Sequence, residues 1–146
     1  MDNYYIYLAG GMDGLSRAEM GGWRWTVEKT VRDHNWSSSY TMNPVFFNPV
    51  VSYNPCDEGL HKSEREPFEY DLDKLRNSNL VVVNFNSPKS IGTAMELAVA
   101  RENRIPIIGL NESGYELHPW LEECCTRMCD TMEELCDHIA LYYLNW

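Results

Sequence analysis

The architecture turns on residues 80–100, LVVVNFNSPKSIGTAMELAVA. Leu80 to Phe85 is a continuous apolar run, the pattern of a central parallel strand covered on both faces. A short polar turn follows, and from about Ile91 the chain reads as a helix. Ala94, Met95, Leu97, Ala98, Val99 and Ala100 predict a helix made for burial, yet it carries one carboxylate, Glu96, about one turn in. The positive end of the helix dipole favours an acid there, so Glu96 is expected to stay ionised even when partly buried. Gly92 allows a ligand to approach the backbone closely, and Thr93 is placed to cap the helix or to donate a hydrogen bond. Periodicity alone leaves two readings of Glu96 open: a surface or capping acid, and a functional one.

The flanking segments extend the alternation of strand and helix. Tyr4 to Ala9 is a β-rich run that ends at Gly10-Gly11. Residues 16–34 are helical, with Ser16 and Glu19 at capping-box spacing and Trp23, Val27 and Val31 forming an apolar stripe. Val45-Phe46-Phe47 is a second strand, closed by Asn48-Pro49. Residues 50–62 read as a long loop of the kind that often serves as a lid. Glu66 to Ser78 predicts a helix with Phe68, Leu72 and Leu75 facing inward and Asp71, Lys74 and Ser78 on another face. Pro106 to Leu110 is a fourth strand. Helices over 117–128 and 131–144 close the chain, with a short fifth strand at 126–129 between them. There is no internal repeat, low-complexity segment or linker, so residues 1–146 form one domain.

Such alternation implies a parallel sheet with helices on both faces. Ligands of these sheets bind beyond the carboxyl ends of the strands. That points to Gly10, Gly11, Met12 and Asp13 after the first strand, Asn48 and Pro49 after the second, Asn84 to Gly92 after the third, and Asn111 to Gly114 after the fourth.

The bulk composition narrows the function. A net charge of −10 disfavours nucleic-acid binding, but a few local donors still suffice for a small anion. No apolar run reaches the length of a membrane span, and the N-terminus lacks the charged region of a secretion signal. A cytoplasmic protein is the expectation. Five cysteines, Cys56, Cys124, Cys125, Cys129 and Cys136, are odd in number and clustered, which argues against a disulfide framework. With His138 they lack the paired knuckles of a zinc site. No metal and no cofactor is expected.

Asp71 gives Glu96 a possible partner. A helix entering the sheet from that side brings an acid near its start toward the crevice. Two carboxylates facing one crevice are what glycosyl transfer needs: one attacks the anomeric carbon, and one handles the proton of the leaving group.

Three segments together carry a resemblance: YIYLAGGM, then F-x-x-DLDKLRNSNLVVVNF, then S-x-G-T-A-M-E-L-A-V-A with R-I-P-I-I-G-L behind it. From Tyr5 to about Leu121 the chain resembles the nucleoside 2-deoxyribosyltransferase family, which includes the 2'-deoxynucleoside 5'-phosphate N-hydrolases. The resemblance implies a flavodoxin-like, Rossmann-like three-layer α/β sandwich with about five parallel strands. It also implies a homodimer or higher homo-oligomer whose sites are completed across the interface. By the same resemblance Glu96 matches the nucleophile that attacks C1', Asp71 the acid serving the nucleobase, and Tyr7 the tyrosine that orients the nucleophile. The implied activity is cleavage of the N-glycosidic bond of 2'-deoxynucleosides through a covalent intermediate, with transfer of deoxyribose to another nucleobase. Hydrolysis of nucleoside 5'-monophosphates is the alternative, and a non-catalytic nucleotide-binding module a further one.

Departures from the family pattern frame that choice. Where the transferases carry an aspartate six residues before the nucleophile, this chain has Ser90 after Lys89. The N-hydrolases have a serine there that contacts the 5'-phosphate; a plain helix cap with a solvated lysine is the other reading. The loop after the first strand offers Gly11 and Asp13 in place of the hydrolases' serine and arginine, leaving Arg17 or Lys62 to compensate. His118 is the candidate for the residue supplied by a neighbouring subunit, and Tyr142, Tyr143 or Trp146 for a C-terminal aromatic in the site. A cytokinin-activating phosphoribohydrolase is disfavoured because no Pro-Gly-Gly run directly precedes Gly92-Thr93. A flavin-binding flavodoxin is disfavoured because GGMDGLS makes a poor phosphate loop.

Overall fold

A computed structural model describes residues 1–12, 14–52 and 63–145. Five strands, β1 (Asn3–Gly10), β2 (Asn43–Phe47), β3 (Leu80–Asn84), β4 (Ile107–Leu110) and β5 (Arg127–Cys129), form one sheet in the order β2-β1-β3-β4-β5. All four pairings are parallel. Helices α1 (Arg17–Arg32), α2 (Arg65–Arg76), α3 (Ile91–Glu102), α4 (Pro119–Cys124) and α5 (Met132–His138) cover both faces, giving the flavodoxin-like sandwich.

The period of two along the strands sorts the core into two layers. Ile6, Leu8, Leu80, Val82, Ile108 and Leu110 face Val27 and Val31 of α1 and Leu135, Cys136 and Ile139 at the C-terminal helix. Tyr7, Ala9, Val81, Val83 and Ile107 face Leu75 of α2, Leu97 and Ala100 of α3, and Leu117. Truncating a fully buried leucine such as Leu97 to alanine typically costs about 2–5 kcal/mol. Capping follows the sequence closely. The Ser16 hydroxyl accepts from the Glu19 N–H at 3.2 Å, and the Glu19 carboxylate accepts from the Ser16 N–H at 3.0 Å.

Several elements differ from expectation. The helix expected over 117–128 is only Pro119–Cys124, because the Thr126 N–H donates to the Ile107 carbonyl (2.8 Å) and draws the chain into β5. The C-terminal helix closes with a π-helical turn, Ile139–Tyr143. Helix α3 is not made for burial: Thr93, Leu97 and Ala100 are its buried residues, while Ile91 is 77% and Met95 45% exposed. Phe68, expected to face inward, is 48% exposed. Of the predicted loop, Pro49–Ser52 forms a 3-10 turn, and 53–62 lie outside the described residues.

Strand order makes the site. From β1 the chain steps one way to β2 and the other way to β3, so β1 and β3 flank the point where the winding reverses. Their last paired residues are Gly10 and Asn84. The loops leaving this point diverge and open a crevice between them. Beneath it the β1 loop packs against the β3 loop: a Cβ on Gly11 would lie 2.5 Å from the Ser87 Cβ and 3.1 Å from its Oγ. Gly11→Ala is expected to force these loops apart and to destabilise the fold by about 1–3 kcal/mol, measured by urea denaturation. An unchanged midpoint would show that the contact yields freely.

Candidate active site

The crevice is a cavity of about 320 Å³. Gly10 and Met12 from β1 and its loop and Pro49 from the segment after β2 line one side. Glu64 ahead of α2, with Phe68, Asp71 and Leu72 on it, lines a second. Ser90, Gly92, Thr93, Met95 and Glu96 of α3 line the third.

Glu96 and Tyr7 meet because each obeys the period of its element. Tyr7 is an odd-numbered residue of β1 and so faces the α2–α3 layer, fully buried, with its ring stacked on Phe47 at 5.3 Å. Glu96 follows the buried Thr93 by three residues and precedes the buried Ala100 by four, which turns it to the sheet side of α3. The Tyr7 hydroxyl donates to Glu96 Oε2. Burial, and next to it the Glu96 charge, push the Tyr7 hydroxyl far above the usual phenol range, so it stays a donor.

Glu96 differs electrostatically from the expectation. Burial pushes its carboxyl up to about 7, against the hydrogen bond from Tyr7 and the charge of Arg24, which favour ionisation; Asp71 opposes it. Proximity to the helix start does not outweigh desolvation. Raised from about 4.5 to about 7, the group binds a proton more tightly in the folded chain than in the unfolded one. Its contribution is therefore fully present below about pH 4.5 and lost as pH rises through about 7. Glu96→Gln, neutral at every pH, is expected to unfold at a higher temperature than the parent at pH 8, with the gap shrinking toward pH 4. A gap that does not change with pH in thermal melts would contradict the raised carboxyl.

The other predicted residues divide. Gly10, Met12, Ser90 and Gly92 line the cavity. A Cβ on Gly92 would meet no protein atom within 4 Å, so the fold itself does not demand glycine there. Ser90 caps α3, its Oγ accepting from the Thr93 N–H (3.3 Å) and the Thr93 hydroxyl (3.0 Å). Gly11 lies below the cavity against Ser87. Asn84 is buried and does not line the cavity. His118 is exposed and caps α4, Nδ1 accepting from the Trp120 N–H at 3.1 Å. Tyr143 packs on Tyr4, and the Leu144 carbonyl accepts from Thr41 just ahead of β2. Tyr142 and Tyr143 therefore lie toward the amino ends of the strands, away from this chain's own crevice. Arg17 and Lys89 are exposed and do not line the cavity. Asp13, Cys56, Lys62 and Trp146 lie outside the described residues.

Sequence reasoning missed Arg24, which is fully buried. The signal was present: Arg24, Val27 and Val31 recur at i, i+3 and i+7, so the arginine lies on the apolar stripe. It also missed Glu64 and Met95, whose place in the wall depends on how α2 and α3 pack.

No protein-family model matches the sequence, and no curated protein matches it. Solved structures do. A conserved protein from Enterococcus faecalis V583 superposes with a TM-score of 0.76 at 16% identity, covering 95% of this chain and 98% of its own. A 2-deoxyribosyltransferase from Bacillus psychrosaccharolyticus gives 0.71 at 15%, covering 91% and 90%. A CMP N-glycosidase from Clostridium botulinum gives 0.60 at 12%, covering 94% and 98%. At these identities the likeness is one of fold: this chain is built as those proteins are, over nearly its whole length.

Proposed function

We propose that this chain is a member of the nucleoside 2-deoxyribosyltransferase family. In this reading it cleaves the N-glycosidic bond of 2'-deoxynucleosides and transfers the deoxyribose to another nucleobase. The observation that carries the reading is the Tyr7–Glu96 hydrogen bond at the winding-reversal point, with Asp71 lining the same cavity. The shared fold with a 2-deoxyribosyltransferase and a CMP N-glycosidase supports it.

Tyr7 engages Oε2 of Glu96 and leaves Oε1 to attack C1'. As the glycosidic bond breaks, its electron pair passes to the base nitrogen and Asp71 delivers a proton there. The carboxylate stabilises the cationic character building on the sugar, then captures it as an ester. An incoming base nitrogen attacks the same carbon, Glu96 departs as carboxylate, and Asp71 recovers the proton.

Charge favours a nucleoside over its monophosphate. The titratable residues lining the cavity among the described residues, Glu64, Asp71 and Glu96, are all acids. A 5'-phosphate placed among them would be repelled. One observation supports the alternative hydrolysis of monophosphates: Ser90 sets a hydroxyl at the amino end of α3, where an anion is welcome. We also infer a cytoplasmic homo-oligomer, with His118 supplied to a neighbouring copy's site.

The test is chromatographic. The protein is incubated with deoxynucleosides and, separately, with deoxynucleoside monophosphates, each with and without a free acceptor base. Exchange that needs the acceptor supports transfer. Base release from monophosphates alone supports hydrolysis, and release from neither overturns both.

A further inference from the structure

We propose that Arg24 is a positioning residue: forked onto the open edge of β1 at Leu8 and Gly10, its buried cation underlies the wall that Gly10 shares with Glu96 and acts on the Tyr7–Glu96 pair through its charge. The proposal rests on the reading of Glu96 as nucleophile.

The placement follows from the sheet. β1 continues to Gly10, but its pairing with β2 ends at Tyr7 opposite Phe47. The Tyr5 carbonyl accepts from Asn79 on the β3 side (2.7 Å), so odd-numbered carbonyls of β1 face β3 and even-numbered ones face β2. Continuing the register would set Pro49, which has no N–H, against the carbonyl of Leu8. Arg24 supplies the missing donors. Nε donates to the Leu8 carbonyl and Nη2 to the Gly10 carbonyl, each at 3.1 Å, while Nη1 donates to the Met20 carbonyl. The Trp23 ring covers the guanidinium at 4.7 Å.

Edge repair explains the fork but not the charge. Among the described residues Arg24 has no carboxylate within ion-pairing distance, and a buried cation without one is costly. Burial lowers the guanidinium only to about 10, so it remains a cation at neutral pH. What it acts on is the site: Nη2 holds the carbonyl of Gly10, which lines the same cavity as Glu96, and at that range its charge favours ionisation of Glu96, while Glu96, Tyr7 and Asp71 in turn favour the charged guanidinium. The other titratable groups around Glu96 are Tyr7 from β1 and, lining the same cavity, Asp71 and Glu64 from the α2 side. β4 is apolar, and Glu122 and Glu123 of α4 are exposed. Arg24 is the one cation in this set.

The experiment is a titration of the Glu96 side-chain carboxyl by ¹³C NMR on glutamate-labelled protein, assigned with Glu96→Gln. It is run on the parent chain, Arg24→Met, Arg24→Gln and Arg24→Lys, with folding checked by circular dichroism. Either neutral variant is expected to raise the midpoint by at least about one pH unit, tenfold in proton affinity, and Arg24→Lys to restore most of it. An unmoved midpoint in a folded neutral variant overturns the proposal, as does a lysine variant that shifts as far as the neutral ones. Should neither neutral variant fold, Tyr7→Phe decides, since it removes the other group that favours the carboxylate. A midpoint there that stays below about 8 upholds the role, and one at about 8–9, the range of a buried glutamate without electrostatic support, refutes it. Base exchange is assayed alongside. A moved titration in an inactive parent chain refutes the enzymatic reading alone, while an unmoved one in an active chain refutes the role of Arg24 alone.

Discussion

Glu96→Ala is expected to lower base exchange by about four orders of magnitude or more, the scale on which removing a nucleophile acts, while leaving nucleoside affinity within a few-fold. The split follows from geometry. Glu96 forms one part of the cavity wall, and the surfaces that would hold a sugar and a base come from Met12, Pro49, Phe68 and Met95 as well. In the proposed mechanism, removing the carboxylate takes away the atom that would form the ester and the charge that would oppose the cationic sugar. It also leaves the buried Tyr7 hydroxyl without its acceptor. Activity is followed by chromatography and affinity by calorimetry with the same deoxynucleoside. Base release at the parental rate would sink the mechanism.

Asp71→Asn is expected to slow turnover by about 10²- to 10³-fold, within the usual worth of a positioned acid. The loss should depend on the leaving base. A base that departs readily without a proton should lose little, and one that leaves poorly should lose most. Asp71 lines the cavity from α2 and Glu96 from α3, so in the proposed mechanism proton delivery and nucleophilic attack come from different helices. A uniform loss across a series of bases would assign Asp71 to binding instead.

Much of this was written into residue order. Strand β3 could hardly be anything else, since LVVVN is buried at every position, as a strand between two helical layers must be. The helix starts were legible from Ser16 with Glu19 and from Ser90, because caps are local hydrogen bonds. Element ends were less so. Nothing local in 125–126 announces that a sheet edge will capture the chain and cut α4 short, since the competing partner, the Ile107 carbonyl, is distant in sequence. Apolar content likewise misread α3: alanine and methionine are compatible with a helix face whether or not anything covers it.

The site divides the same way. Periodicities of two and 3.6 are properties of the chain, so they alone dictate that Tyr7 points to one layer and that Glu96 sits one turn into a helix. Packing decided what those positions mean. The desolvation that raises Glu96 to about 7 exists only once α3 closes on β1. The need for Arg24 exists only because β2 stops short of Gly10 and leaves two carbonyls of its neighbour without partners. Local pattern reports which way a side chain faces; the dielectric and the charges it meets there are sums over neighbours from other strands and helices, and only the folded arrangement brings those together.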